Sequence, residues 1–328
     1  MWIADRWKDY EVLDTSAGEK LEQWGPYNLV RPDPQVIWNT PKKDPGWHRH
    51  NGHYFRSARG GGQWEFHDLP ETWEISYTLP SDYAGEGTAG QDPVTHSDSG
   101  QHAAGEKAKA QTGNVQNTGK LTFNLQPFAF KHTGVFPEQA VNWDWFSEKI
   151  RHSGRRDVRV LNLFAYTGGA TLAALAAGAS VTHVDASKGM VRWAKENAAV
   201  SGLADRPVRW LVDDCRKFIE REIRRGNHYD AIIMDPPSYG RGPKGEIWKL
   251  EESIFPFIQL AVQILSDQPL FFLINSYTTG LAPSVLTYMI STALGNRKGD
   301  VESDEIGLPV RSTGLVLPCG ASGRCSWD

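Results

Sequence analysis

The second half of the chain alternates short apolar runs with longer amphipathic stretches, and this alternation limits the fold more than any other feature. Strand-length runs occur at Val158–Leu163, Ser180–Asp185, Val208–Val212, Tyr229–Asp235 and Pro269–Asn275, and helical periodicity fills about 170–177, 187–201, 214–225 and 250–265 between them. Such repetition predicts an α/β domain, a mostly parallel sheet with helices on both faces, because each right-handed crossover lays its helix against the sheet. The end of the chain breaks the pattern. Val301–Val310 and Leu315–Gly323 are strand-like runs joined by a short Ser-Thr-Gly turn, which predicts an antiparallel hairpin and brings the sheet to seven strands.

Upstream the pattern differs. Residues 1–80 hold short alternating runs broken by Gly, Pro, Asn and Asp (Tyr10–Leu13, Val36–Trp38, Gln63–Phe66 and Trp73–Leu79), the expectation for a smaller β-rich N-terminal domain. Residues 81–119 carry almost no large apolar side chain and cannot offset their ordering entropy, which predicts a flexible inserted loop. Residues 120–157 return to order with an alternating Leu121–Leu125 strand and a helix around Ala140–Ile150, and 158–328 form the α/β domain. A length of 328 residues suits one large and one small unit. Seven of the 13 Trp residues precede residue 80, where they either form the core of the small domain or stack on bases.

The net charge of −4 lacks the basic footprint of a dedicated nucleic-acid binder, so such binding has to rest on local patches. Three unpaired-looking cysteines (Cys215, Cys319, Cys325) argue against a disulfide scaffold or zinc ribbon and for a reducing, cytoplasmic setting. No apolar run is long enough for a membrane span or a signal peptide core, so no membrane partner is expected. His48, His50 and His53 have no supporting acid or Cys cluster, so no metal is expected.

Ligands of open α/β sheets sit at the carboxyl ends of the strands. The first strand ends in Asn162-Leu163-Phe164-Ala165-Tyr166-Thr167-Gly168-Gly169, where glycines permit close backbone approach and the next helix offers free N–H groups; the loop lacks GxGxxG, against a nicotinamide or flavin. The second ends in Asp185-Ala186-Ser187, with Asp185 placed to accept ribose hydroxyls and Ser187 to cap the helix. The third ends in Asp213-Asp214-Cys215, where Asp214 either meets an adenine amino group or caps the helix. The fourth ends in Asp235-Pro236-Pro237-Ser238-Tyr239, a stiff turn pairing a carboxylate and proline carbonyls with an aromatic, suited to holding a flat base.

These segments, taken with Lys131-His132-Thr133-Gly134-Val135-Phe136-Pro137-Glu138-Gln139, resemble the methyltransferases that modify cytosine or guanine in large-subunit ribosomal RNA. The resemblance covers about residues 120–320, and the hairpin end is similar to that of class I (Rossmann-like) methyltransferases. It implies S-adenosylmethionine as methyl donor. Phe164, Ala165, Tyr166, Thr167, Gly168 and Gly169 would line its methionine end, Asp185 with Ala186 and Ser187 its ribose, and Asp213 or Asp214 its adenine. Lys131, Thr133 and Gln139 would close the pocket, while Asp235, Pro236 and Tyr239 would face the acceptor, Asp235 also bordering the donor. The resemblance further implies ribosomal RNA as partner. One departure stands out: cytosine C5 methylation needs a cysteine nucleophile, and Asn275-Ser276-Tyr277-Thr278-Thr279-Gly280 has none where the cytosine-modifying relatives carry it. Methylation at nitrogen is expected instead, with Arg241, Lys244 and Lys249 as phosphate contacts. The alternatives are a small-molecule or protein acceptor for the same donor pocket, and a non-catalytic RNA-binding protein.

Overall fold

The computed structural model describes residues 1–57, 61–80, 119–128, 131–241 and 247–327. The loop expected over 81–119 falls almost wholly outside them, as does Lys244.

The N-terminal region opens with a two-residue strand, β1 (Trp2–Ile3), then β2 (Tyr10–Ser16), β3 (Glu19–Trp24), β4 (Tyr27–Pro32), β5 (Gly52–Arg56) and β6 (Gly62–Phe66). Strands β2 to β6 form a five-stranded sheet in sequence order. Val36–Trp38, expected as a strand, is not one: Ile37 is 90% exposed, and the run lies close to Pro34 and Pro41, which cannot donate to a ladder. Next, β7 (Trp73–Thr78) pairs antiparallel with β8 (Lys120–Leu125). In β8, Leu121, Phe123 and Leu125 are fully buried while the residues between face outward, the period-two pattern of a strand with one wet face.

Helix α1 (Ala140–His152) leads into the large sheet of β9 (Arg159–Leu163), β10 (Ser180–Asp185), β11 (Val208–Val212), β12 (Ala231–Met234), β15 (Phe271–Ser276), β16 (Asp300–Pro309) and β17 (Val316–Ser326), with a separate two-stranded ribbon, β13 (Tyr239–Arg241) and β14 (Ile247–Lys249), inserted between β12 and β15. Helices α2 (Gly169–Ala176), α3 (Lys188–Val200), α4 (Cys215–Arg225), α5 (Leu250–Ala261) and α6 (Pro283–Leu294) connect them. The order is β1-β16-β17-β15-β12-β9-β10-β11, eight strands rather than the expected seven, because β1 joins the outer edge parallel to β16. Strand β17 runs antiparallel to both neighbours, which is the expected hairpin closure.

Alternation along the central strands divides the core between two faces. Val160, Ala231, Ile233, Phe271 and Leu273 join Trp143 and Phe146 of α1 and Leu172 of α2. Leu161, Leu163, Ile232, Met234, Phe272 and Ile274 join Phe218 of α4, Ile254 of α5 and Leu286 of α6. The Trp-rich N-terminus is mainly core: Trp24, Trp47 and Trp73 are buried, and Trp7 packs its ring on Tyr77 and Trp143 while its indole N–H donates to the Pro137 carbonyl (2.9 Å).

Candidate active site

The turn after β9 is held in an unusual backbone. Phe164 (φ 56°) and Tyr166 (φ 50°) both adopt the left-handed region, which costs non-glycine residues about 1–3 kcal/mol each and persists where surrounding structure imposes it. The carboxylate of Asp185 imposes part of it. One oxygen accepts the Tyr166 N–H (2.8 Å) and the other the Ser187 N–H (2.8 Å), leaving a lone pair on each oxygen for a ligand hydroxyl. Burial raises the Asp185 pKa, and those two N–H groups oppose the rise. Gly168 (φ 89°) caps α2, whose first-turn N–H groups lack intrahelical acceptors.

The segment before α1 forms the opposite wall. The Thr167 hydroxyl donates to the Gly134 carbonyl and ties the two walls together. Gly134 sits at φ 118° with Trp193 so close that an added Cβ would lie 2.5 Å from its ring, so only glycine fits. Two residues on, Phe136 packs against Tyr166 (5.3 Å) and Tyr277 (5.8 Å). Gln139 donates to the Tyr277 hydroxyl (2.7 Å) and accepts from Asn142 (2.8 Å) and Asn275 (3.0 Å), joining α1 to the end of β15.

Between these walls lies a partly open cleft at the carboxyl ends of β9 and β12. Gln139, Phe164, Ala165, Tyr166, Thr167, Gly169 and Asp235 line it. Gly168 sits behind them in the helix cap. Asp235, at the end of β12, makes no side-chain hydrogen bond to a described residue. Burial, with the nearby Glu138 carboxylate, pushes its pKa up to about 7. Pro236, next in the chain, is buried.

Other expected residues lie elsewhere. Ser187 is the N-cap of α3, and Ala186 is exposed beside it. Asp214 is the N-cap of α4, accepting from Lys217 N–H (2.8 Å), and Asp213 forms an ion pair with Arg221; the capping alternative describes Asp214. Lys131 does not line the cleft: its ammonium reaches the Pro32 carbonyl (3.2 Å) in the N-terminal sheet. Thr133 is fully buried. Tyr239 lies on the β13–β14 ribbon, 53% exposed, outside the cleft lining. Lys249 pairs with Glu252 (2.8 Å) rather than standing free for a phosphate, and the Arg241 side chain is outside the described set.

The sequence reading missed Asn275 and Tyr277, although both follow the strand-end rule at β15, and it passed over Glu138, which is buried between cleft residues Phe136 and Gln139. Burial raises the Tyr277 hydroxyl well above its ordinary pKa, and the Glu138 and Asp235 carboxylates push the same way. No thiol is poised for attack. Burial raises Cys215, Cys319 and Cys325, the last to about 12. Among the described residues no group of His, Cys, Asp and Glu could hold a metal, and no helix is long and apolar enough to cross a membrane.

These groups fit S-adenosylmethionine. Asp185 offers acceptors for ribose hydroxyls, the start of α2 offers donors for a carboxylate, and Phe164 and Tyr166 present their strained backbone to the space between.

Comparison with known proteins agrees. Residues 91–247 match the family described as S-adenosylmethionine-dependent methyltransferase. A crystal structure of a SAM-dependent methyltransferase from Agrobacterium tumefaciens is 33% identical, with a TM-score of 0.78 over 97% of this chain and 90% of that one. A solved methyltransferase complexed with SAH shares the fold at 18% identity and a TM-score of 0.67, covering 98% of this chain and 76% of that one. Among curated proteins, ribosomal RNA large subunit methyltransferase K/L of Pseudoalteromonas atlantica is 34% identical over 152 residues, 46% of this chain. The protein of that name from Shewanella baltica is 36% identical over 125 residues, 38% of this chain. The matched stretches span only 20% and 16% of those two relatives. With this site and a relative matched along nearly its whole length, the chain belongs to the S-adenosylmethionine-dependent methyltransferase family and is an enzyme that uses this donor.

Proposed function

We propose that the enzyme methylates a nitrogen of a base in ribosomal RNA. The observation that carries this reading is Asp235: a carboxylate at the mouth of β12 with no hydrogen-bond partner among the described residues, facing a cleft bordered by the rings of Phe136, Tyr166 and Phe164. Its position suits a flat acceptor whose N–H needs an acceptor. The names of the curated relatives point to ribosomal RNA as well, although they share only part of their length with this chain.

The donor supplies a methyl group already activated on sulfonium, so the protein has to align, desolvate and remove a proton. Asp185 holds the ribose of the donor, and Ala165 to Gly169 enclose its methionine end. Asp235 accepts the hydrogen bond of the acceptor nitrogen and takes its proton as the new bond forms. Tyr277, fixed by Gln139, closes the acceptor side beside Phe136. This ring takes the stacking role expected of Tyr239, which stands on the exposed ribbon. With every thiol raised by burial, a covalent cysteine adduct at carbon has no support, and nitrogen is the favoured target.

The division of residues carries over to the chain as a whole: 158–328 carries the donor site, 120–157 its second wall, and 1–80 contributes to RNA recognition. The test is methyl transfer from radiolabelled S-adenosylmethionine to ribosomal RNA from a strain lacking the gene, with Asp235→Asn alongside. Ribonuclease-sensitive label that the variant loses supports the reading, and nucleoside analysis then names the base. Label on protein or a small molecule, with RNA unlabelled, overturns it.

A further inference from the structure

The N-terminal sheet carries a second feature that the cleft does not use. In the antiparallel β5–β6 pair, Tyr54 stands opposite Trp64 and Gly52 opposite Phe66, so Tyr54, Arg56, Trp64 and Phe66 share one face. Trp64 and Phe66 stack nearly parallel (13° between planes, centroids 5.9 Å), and Phe66 is 51% exposed. The Trp64 indole N–H donates to the Phe128 carbonyl (2.9 Å), which fixes that ring against the segment leading to Lys131; Phe128 is itself 36% exposed.

Three cations, Lys20, Arg31 and Arg56, lie close enough to Lys131 to act on it electrostatically. Lys20 and Arg31 are neutralised within the N-terminal sheet, Lys20 by Glu22 and Asp33 (3.4 and 3.3 Å) and Arg31 by Glu22 (2.6 Å). Lys131 and Arg56 have no carboxylate partner within ion-pair distance among the described residues. Burial, then the neighbouring Lys20, depress the Lys131 ammonium to about 8 against the pull of Asp33; Arg31 and Arg56 add to the depression. An anion seated there would relieve that strain. From Lys131 the chain continues through His132, whose ring meets Phe136 at 5.2 Å, and Phe136 borders the cleft.

We propose that the Trp64–Phe66 stack, with Phe128, Arg56 and Lys131, binds the single-stranded RNA that flanks the methylated base, its bases on the rings and its phosphates on the two cations. Stacked rings beside unneutralised cations are the combination that holds a single strand without reading its sequence. The net charge of −4 makes such a local patch necessary, because the protein as a whole does not attract polyanions. This inference rests on the RNA reading above, since a small-molecule acceptor would leave the strip without an occupant.

The test is binding of radiolabelled oligouridylate to the full chain across a salt series, with S-adenosylmethionine affinity and thermal melting measured on every variant. Phe66→Ser combined with Arg56→Gln should weaken RNA binding roughly ten- to a hundredfold. Loss of the Arg56 charge should lower the slope of log affinity against log salt by about 0.7. Donor affinity and melting should stay at wild-type values, and Gln63→Ala on the opposite face of β6 should leave RNA binding unchanged. If wild type and the double variant bind oligouridylate equally, the strip is overturned while the RNA reading stands. If the wild type neither binds nor methylates RNA, both fall together.

Discussion

In the β2–β6 sheet the interior holds charge, whereas strands β12 and β15 at the centre of the large sheet stay apolar until their ends. Glu22 is fully buried and meets Arg31, Lys20 and the Tyr10 hydroxyl. Burial pushes the Glu22 carboxyl up, but Arg31, Lys20 and the hydrogen bonds outweigh it and hold the group at about 2. In the large sheet, Ala231 to Met234 and Phe271 to Ile274 are buried and apolar, and polarity begins at Asp235 and Asn275. The small sheet thus uses its ion pairs to hold itself together, while the strand-end carboxylate Asp235 of the large one has no side-chain hydrogen-bond partner among the described residues.

The largest test of that contrast is Asp235→Asn. Loss of a proton acceptor typically costs 10²- to 10⁴-fold, so kcat should fall by about that much while donor affinity, read by calorimetry, holds within a few-fold. The Asp235 pKa is raised from 3.8 to about 7, so the folded protein favours its protonated form. Its contribution to stability is full below pH about 4 and is lost as pH rises to 7. Activity follows the opposite limb: kcat of the wild type should rise through pH 7, about tenfold per unit below it, and the asparagine variant should lose that limb.

Glu22→Gln is the next largest. It strands Arg31 and Lys20 in a buried site, and breaking one partner of such a cluster costs about 3–5 kcal/mol in chemical denaturation. Because Glu22 is depressed to about 2, the stability it provides is present above pH 4.5 and drains away as pH falls toward 2. A variant as stable as wild type would mean that the small sheet does not depend on its charges.

Asp185 and Asp214 sharpen the comparison within the large sheet, since both stand at strand ends yet Asp185 accepts from the cleft-lining Tyr166 while Asp214 caps α4. Asp185→Asn should weaken S-adenosylmethionine binding about tenfold or more, at the strength of a charged hydrogen bond. Asp214→Ala should cost about 1 kcal/mol of stability through the lost cap and leave donor affinity within twofold. The reverse pattern would exchange their roles.

The strand ends were legible because periodicity locates a strand and parallel topology assigns its carboxyl end to the ligand. Strands Ser180–Asp185 and Val208–Val212 match their expected limits residue for residue. Helix α6 was not legible. Its run Pro283-Ser284-Val285-Leu286-Thr287-Tyr288-Met289-Ile290 is rich in β-branched side chains, and Ala282 at its N-cap offers no side-chain acceptor. Strand β1 has two residues, too few for any period. Asp213-Asp214 could not be divided between ligand and cap without the backbone direction that places Lys217 above Asp214. Tyr239 is adjacent in sequence to the strand-end prolines, whereas the Gln139–Tyr277 bond joins residues 138 positions apart, which no local pattern reveals.

Strand β1 has a consequence for biosynthesis. Its partner on β16 emerges from the ribosome about 300 residues later, so at 5–20 residues per second the segment waits roughly 15–60 s for its place. Once paired, Trp2 and Ile3 cover Ile306 and Gly307 of β16 and shorten the stretch of free backbone that strand would otherwise offer to a neighbouring chain.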